Sequence, residues 1–98
     1  MKYSTEKTIS VDVRGETFKV KLRMISLREK TDFVDDDGAF SVHKLFEESV
    51  VSVEGPEVNG QAVATGADIL DTPGIDEVYL ESMRAINNWD FNEEESKN

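Results

Sequence analysis

Two stretches that alternate with period two, Thr8-Ile9-Ser10-Val11-Asp12-Val13 and Thr17-Phe18-Lys19-Val20-Lys21-Leu22-Arg23, flank the pair Arg14-Gly15. No other feature of the sequence constrains the fold as tightly. Strict alternation marks half-buried strands, and a two-residue loop joins antiparallel neighbours. With Arg14-Gly15 as the loop, Val13 lies opposite Glu16, Val11 opposite Phe18 and Ile9 opposite Val20, so the apolar partners share one face. The other face pairs Asp12 with Thr17, Ser10 with Lys19 and Glu6 with Arg23. A slip of one residue would turn one apolar row to solvent, so this register is the predicted one.

Beyond the hairpin the pattern becomes helical. Ser26-Leu27-Arg28-Glu29 has the spacing of a capping box, in which the Ser and Glu side chains satisfy orphan amides at a helix start. That helix is predicted to run to Val34 or Asp36, with Leu27, Phe33 and Val34 as apolar contacts and Gly38 as its stop. Ser41 is placed to cap a second helix whose apolar face is Val42, Leu45, Phe46, Ser49 and Val50. Val50-Val51-Ser52-Val53-Glu54 follows as strand, and Asn59-Gly60 marks a turn with Gln61–Ala64 as a candidate short return arm. Residues 65–70 suit a helical turn. Thr72-Pro73 opens a last helix with Ile75, Val78, Tyr79, Met83 and Ile86 on its apolar stripe, ending near Asn87-Asn88-Trp89. The expected fold is α+β: an N-terminal antiparallel hairpin packed on two or three helices, with room for a second small hairpin. Residues 1–89 form the one domain, and residues 90–98 are expected to be an acidic, disordered tail.

Charge and composition narrow the function. The 98 residues hold 38% hydrophobic and 33% charged side chains, a modest core for a chain of this length. A partner, or further copies of the chain in a homo-oligomer, would add stability. Residues 1–30 carry eight Lys/Arg against four acids, or +4, whereas the remaining 68 carry three against 17, or −14. The acidic majority argues against general nucleic-acid binding, since phosphate repels it. There is no cysteine, which excludes disulfides, thiolate metal sites and cysteine nucleophiles. The opening Met1–Lys7 lacks the apolar core of a signal peptide, and no run approaches the ~20 apolar residues of a membrane span. A soluble cytoplasmic protein is expected.

Motifs for chemistry are incomplete. Ile69-Leu70-Asp71-Thr72-Pro73-Gly74 is similar to a GTPase segment, but no phosphate cradle of the form Gly-x-x-x-x-Gly-Lys-Ser/Thr accompanies it. Aligning Gly38 of Asp35-Asp36-Asp37-Gly38 with the invariant glycine of a calcium loop puts Phe33 at the first ligand position and Lys44 where a bidentate Glu belongs. His43, the single histidine, has no companions at ligand spacing and reads as a surface residue. No catalytic, cofactor-binding or metal-binding residue is assigned, and the chain is expected not to be an enzyme.

Interaction chemistry remains. Leu80 lies off the apolar stripe of the last helix, and Trp89 and Phe91 stand where that helix meets the acidic tail. Aromatic anchors of this kind serve partner contacts, although a tryptophan there also suits packing back onto the hairpin. Leu80, Trp89 and Phe91 are therefore the first candidates for partner binding. The basic strand face of Lys19, Lys21 and Arg23 is the second.

The hairpin Ile9–Arg23, the Ser26–Glu29 helix start, and the run Leu45-Phe46-Glu47-Glu48-Ser49-Val50-Val51-Ser52-Val53-Glu54-Gly55 occur in a suggestive order. They are followed by Val58-Asn59-Gly60-Gln61-Ala62-Val63 and the closing helix Ile75–Ile86. In this order, over residues 7–88, the chain resembles the tail assembly chaperones of long-tailed bacteriophages, small acidic proteins that carry no catalytic motif. Val53 stands where members often have Trp. The resemblance implies a non-catalytic chaperone, acting in the host bacterial cytoplasm and missing from the finished virion. It would coat the tape measure protein and help recruit tail tube protein. The family often extends its short form by ribosomal frameshifting, and Ser96-Lys97-Asn98 is compatible with slippery codons. Two other readings stand beside it. One is an acidic DNA mimic that inhibits a nucleic-acid enzyme; the other is a host protein–protein adaptor.

Overall fold

The Arg14-Gly15 turn forms as the pattern requires. In the computed structural model, which describes residues 5–89, both turn residues have positive φ (52° and 83°). That is the backbone of a hairpin loop matched to the twist of its strands. The flanking strands β1 (Glu6–Val13) and β2 (Glu16–Arg23) pair antiparallel in the expected register, from Val13 opposite Glu16 to Glu6 opposite Arg23. Val11, Val13, Phe18, Val20 and Leu22 are buried on one face, where they meet the helices.

The chain then forms α1 (Leu27–Thr31), α2 (Val42–Ser49), β3 (Val50–Glu54), α3 (Gly66–Asp71) and α4 (Asp76–Asn87). The architecture is the expected α+β arrangement with an antiparallel sheet of order β1-β2-β3. Of the four helices among the described residues, α3 grows from the segment in which a helical turn was expected. α4 lies against β1 and β2, while α2 and α3 close over β3. The main core joins the inner sheet face to Phe46, Val63, Ile69, Ile75 and Val78. A smaller cluster of Ile25, Phe33 and Leu45 touches it through Met83.

Several local expectations are corrected. The capping box of Ser26 and Glu29 forms, but α1 ends at Thr31. Asp32 closes it, and the side chain of Asp35 then accepts the amides of Asp37 and Ala39 at 3.0 and 2.9 Å. This Asx geometry competes with helix continuation. Leu27 is 80% exposed, and Val34 is also exposed, so neither is a helix contact to the core; Phe33 alone is buried.

β3 pairs with β2, not with a return arm. The turn at Asn59-Gly60 is present, closed by a single bridge between Val58 and Gln61, and no strand extends from it. The inner face of β2 offers Val20 and Leu22 as apolar partners to Val53 and Val50, whereas the Gln61–Ala64 arm has Val63 as its one large apolar side chain, and that residue is already buried in the main core. A bulge opposite Lys21 and Leu22 seats Val50 against Leu22 and Val53 against Val20, leaving Val51 in solvent. Thr72 does not start the last helix. It caps the end of α3, donating from Oγ1 to the Asp68 carbonyl at 2.6 Å, while α4 begins after Ile75 with no side-chain cap.

Candidate binding surface

The residues singled out from the sequence do not converge. Leu80 is 58% exposed on the outer side of α4. Trp89 is half-buried, packs against the main core, and carries the Lys7 ammonium 5.4 Å from its ring centroid. It therefore helps close the helix layer over β1, as the packing alternative anticipated. Phe91 and the 90–98 segment lie outside the described residues.

The basic face is on the side of the sheet away from the helices, since side chains alternate along β2. It is matched internally. Lys19 sits opposite Glu54 in the sheet, and Lys21 Nζ lies 3.8 Å from a Glu6 carboxylate oxygen. Arg23 donates through both terminal nitrogens to Glu29, at 3.2 and 2.9 Å, and reaches Glu48 at 3.5 Å. The Glu29 carboxyl, held by Arg23 and by the Ser26 amide, stays below the usual carboxylate range, and the Arg23 guanidinium is held above its own. Asp68 is lowered in the same way, chiefly by the Ala64 amide and then by Thr65. These interactions anchor turns and helix starts.

A different surface emerges from the segment between α1 and α2. Val34 and Phe40 pair as an isolated bridge, closed by the Asp35–Ala39 turn, and Val42 follows two residues on. Their exposures are 44%, 44% and 42%. The Phe40 ring meets buried Phe33 edge-on at 6.3 Å between centroids, and the Ser41 amide donates to the Phe33 carbonyl at 2.8 Å. Phe33 also lines a shallow groove of about 290 Å³ together with Asp32, Lys44, Glu47 and Glu48. Residues 31–48 carry six carboxylates and one lysine. Among the described residues Asp32, Asp36, Asp37 and Glu47 make no ion pair.

Sequence reasoning missed this surface because it assigned Val34 and Val42 to helix faces and gave Phe40 no role. The available signal was the Asp35-x-Asp37-Gly38 turn, with Val34 and Phe40 flanking it. His43, expected at the surface, is exposed and stands edge-on to Tyr79 at 6.1 Å. Among the described residues no group of three or more His, Cys, Asp or Glu is placed to hold a metal ion. Likewise no helix among them is long and apolar enough to cross a membrane. Comparison with models of known protein families, with curated proteins and with solved structures finds no match to this chain.

Proposed function

We propose that this chain is a non-catalytic assembly chaperone of the phage tail class, which covers apolar stripes of the tape measure protein and helps recruit tail tube subunits. The observation that supports this reading is the apolar row Val34, Phe40 and Val42, held in solvent beside carboxylates that have no ion-pair partner among the described residues. A long helix awaiting assembly exposes apolar side chains that would otherwise aggregate. A domain with a matching apolar patch shields them, and a net charge of −10 keeps the coated complexes apart. The order of elements from residue 7 to residue 88 is the second support, through the family resemblance.

Co-expression tests it. The chain is expected to co-purify with the long helical tail protein encoded beside it and to keep that protein in the soluble fraction. Failure to do either, or stoichiometric capture of a nuclease or polymerase instead, would overturn the reading in favour of a DNA mimic.

A further inference from the structure

We infer that the Val34–Phe40–Val42 row and the adjoining acidic groove together form a seat for one amphipathic α-helix of a partner, its apolar stripe on the row and a bordering Lys or Arg in the groove. The inference deepens the chaperone reading and rests on it for the partner's biological identity, but the chemistry of the seat stands on its own geometry.

Scattered exposed apolar residues need no explanation, whereas these three are neighbours in one row. The row is also braced from behind. Val34 and Phe40 are locked by the bridge, the turn beneath them by the Asp35 side chain, and Phe40 by its ring contact with Phe33. A preformed patch loses little entropy on binding.

Spacing favours a helix as the occupant. Directly opposed strand residues stand about 5 Å apart, and residues two apart on an extended chain about 7 Å. These intervals bracket the ~5.4 Å rise of one helical turn, at which the apolar side chains of an amphipathic helix recur. An extended partner would need a free strand ladder, and an isolated bridge offers none.

Charge decides which helix. Phe33 joins the row to the groove, whose walls are Asp32, Glu47 and Glu48 against Lys44. Glu48 already reaches Arg23, but Asp32 and Glu47 make no ion pair among the described residues, even with Lys44 in the same groove. A Lys or Arg at the border of the partner's stripe would neutralise them while its methylene stem lies along the groove. A second copy of the chain would bring the same excess of carboxylates to this face, and like charges would oppose it.

The experiment titrates fluorescein-labelled synthetic amphipathic helices of about 20 residues, long enough to hold their structure, into the full chain. Two probes share one leucine stripe, bordered in one by Lys and in the other by Glu. The Lys-bordered probe is expected to bind with a Kd near micromolar, because the seat is much smaller than the ~800 Å² per partner of a standard interface. Val34→Ser with Phe40→Ser should weaken it about tenfold or more. Asp32→Asn with Glu47→Gln, both at exposed positions and harmless to the fold, should weaken it about threefold and flatten its salt dependence. The charge pair keeps the test valid if the apolar pair unfolds the chain.

Equal binding of both probes, or unchanged binding by the variants, would overturn the inference. So would a wild-type dimer that Phe40→Ser dissolves. If the natural tail protein co-purifies equally with the Val34→Ser/Phe40→Ser chain, this seat is wrong and the chaperone reading survives. If that protein ignores the wild-type chain, the chaperone reading fails and the probe titration still decides the seat.

Discussion

Replacing Ser82 by alanine is expected to stabilise the protein, against the usual direction of core substitutions. Val78 and Ser82, one turn apart, are the two residues of α4 with no exposure, and the Ser82 hydroxyl has no hydrogen-bond partner among the described residues. Burying an unsatisfied hydroxyl costs about 1–3 kcal/mol. Alanine also has the better helix propensity, by about 0.5 kcal/mol. Against this, removing one oxygen leaves a void smaller than a methyl group, worth about 0.2–0.4 kcal/mol at ~24 cal/mol per Å³. The net gain is about 1–3 kcal/mol, or a rise in Tm of at least ~4 °C for a domain of this size. Urea titration followed by far-UV circular dichroism should move the midpoint upward with the slope unchanged.

Ser49→Ala is the control. Its hydroxyl is equally buried but donates to the Leu45 carbonyl at 2.7 Å. Losing that bond costs about 0.5–1.5 kcal/mol, and with the same propensity and void contributions the net loss is about 0.2–1.4 kcal/mol. Opposite signs for two buried serines are therefore expected. A Ser82→Ala chain no more stable than wild type would refute the reasoning, because it would mean that the hydroxyl is satisfied in solution.

The remaining expectations follow from other contacts. Gly66→Ala should destabilise by about 1–3 kcal/mol in the same titration, since an added Cβ would stand 2.9 Å from the Glu47 backbone where α3 meets α2. Trp89→Ala should destabilise by about 2 kcal/mol and lower Tm accordingly, because the ring packs on the core beneath Lys7; an unchanged melt would return Trp89 to the partner surface. Glu29 and Asp68 have folded pKa values below the ordinary 4.5 and 3.8. Their stabilisation is therefore complete above those values and is lost as pH falls through the lowered ones. Thermal melts from neutral pH into acid should show a shallower acid limb in Glu29→Gln and in Asp68→Asn than in wild type.

What was legible in the sequence was local, or mirrored across a short turn. The register of β1 on β2 follows from alternation on both sides of Arg14-Gly15, because a slip of one residue would expose a whole apolar row. Ser26, Glu29 and Ser41 mark helix starts because a cap acts within three residues of itself. The stripe of α4 was located, but its centre was displaced: Ser82 occupies the buried line that its polarity would have assigned to solvent.

Tertiary structure decided the rest. The apolar face of Val50–Glu54 can be satisfied by any strand of matching pattern, and only the relative burial offered by β2 and by residues 61–64 selects β2. Arg23 lies opposite Glu6 in the sheet, yet its guanidinium closes on Glu29 and Glu48, which the chain brings near only after α1 and α2 have folded back. The same holds for Val34, Phe40 and Val42. Hydropathy alone would bury them, and the Asx turn at Asp35 holds them in solvent instead. Alternation and capping are interactions between near neighbours and are written in the sequence. Which apolar surface covers which is a competition among distant segments, and it is resolved only when the whole chain has packed.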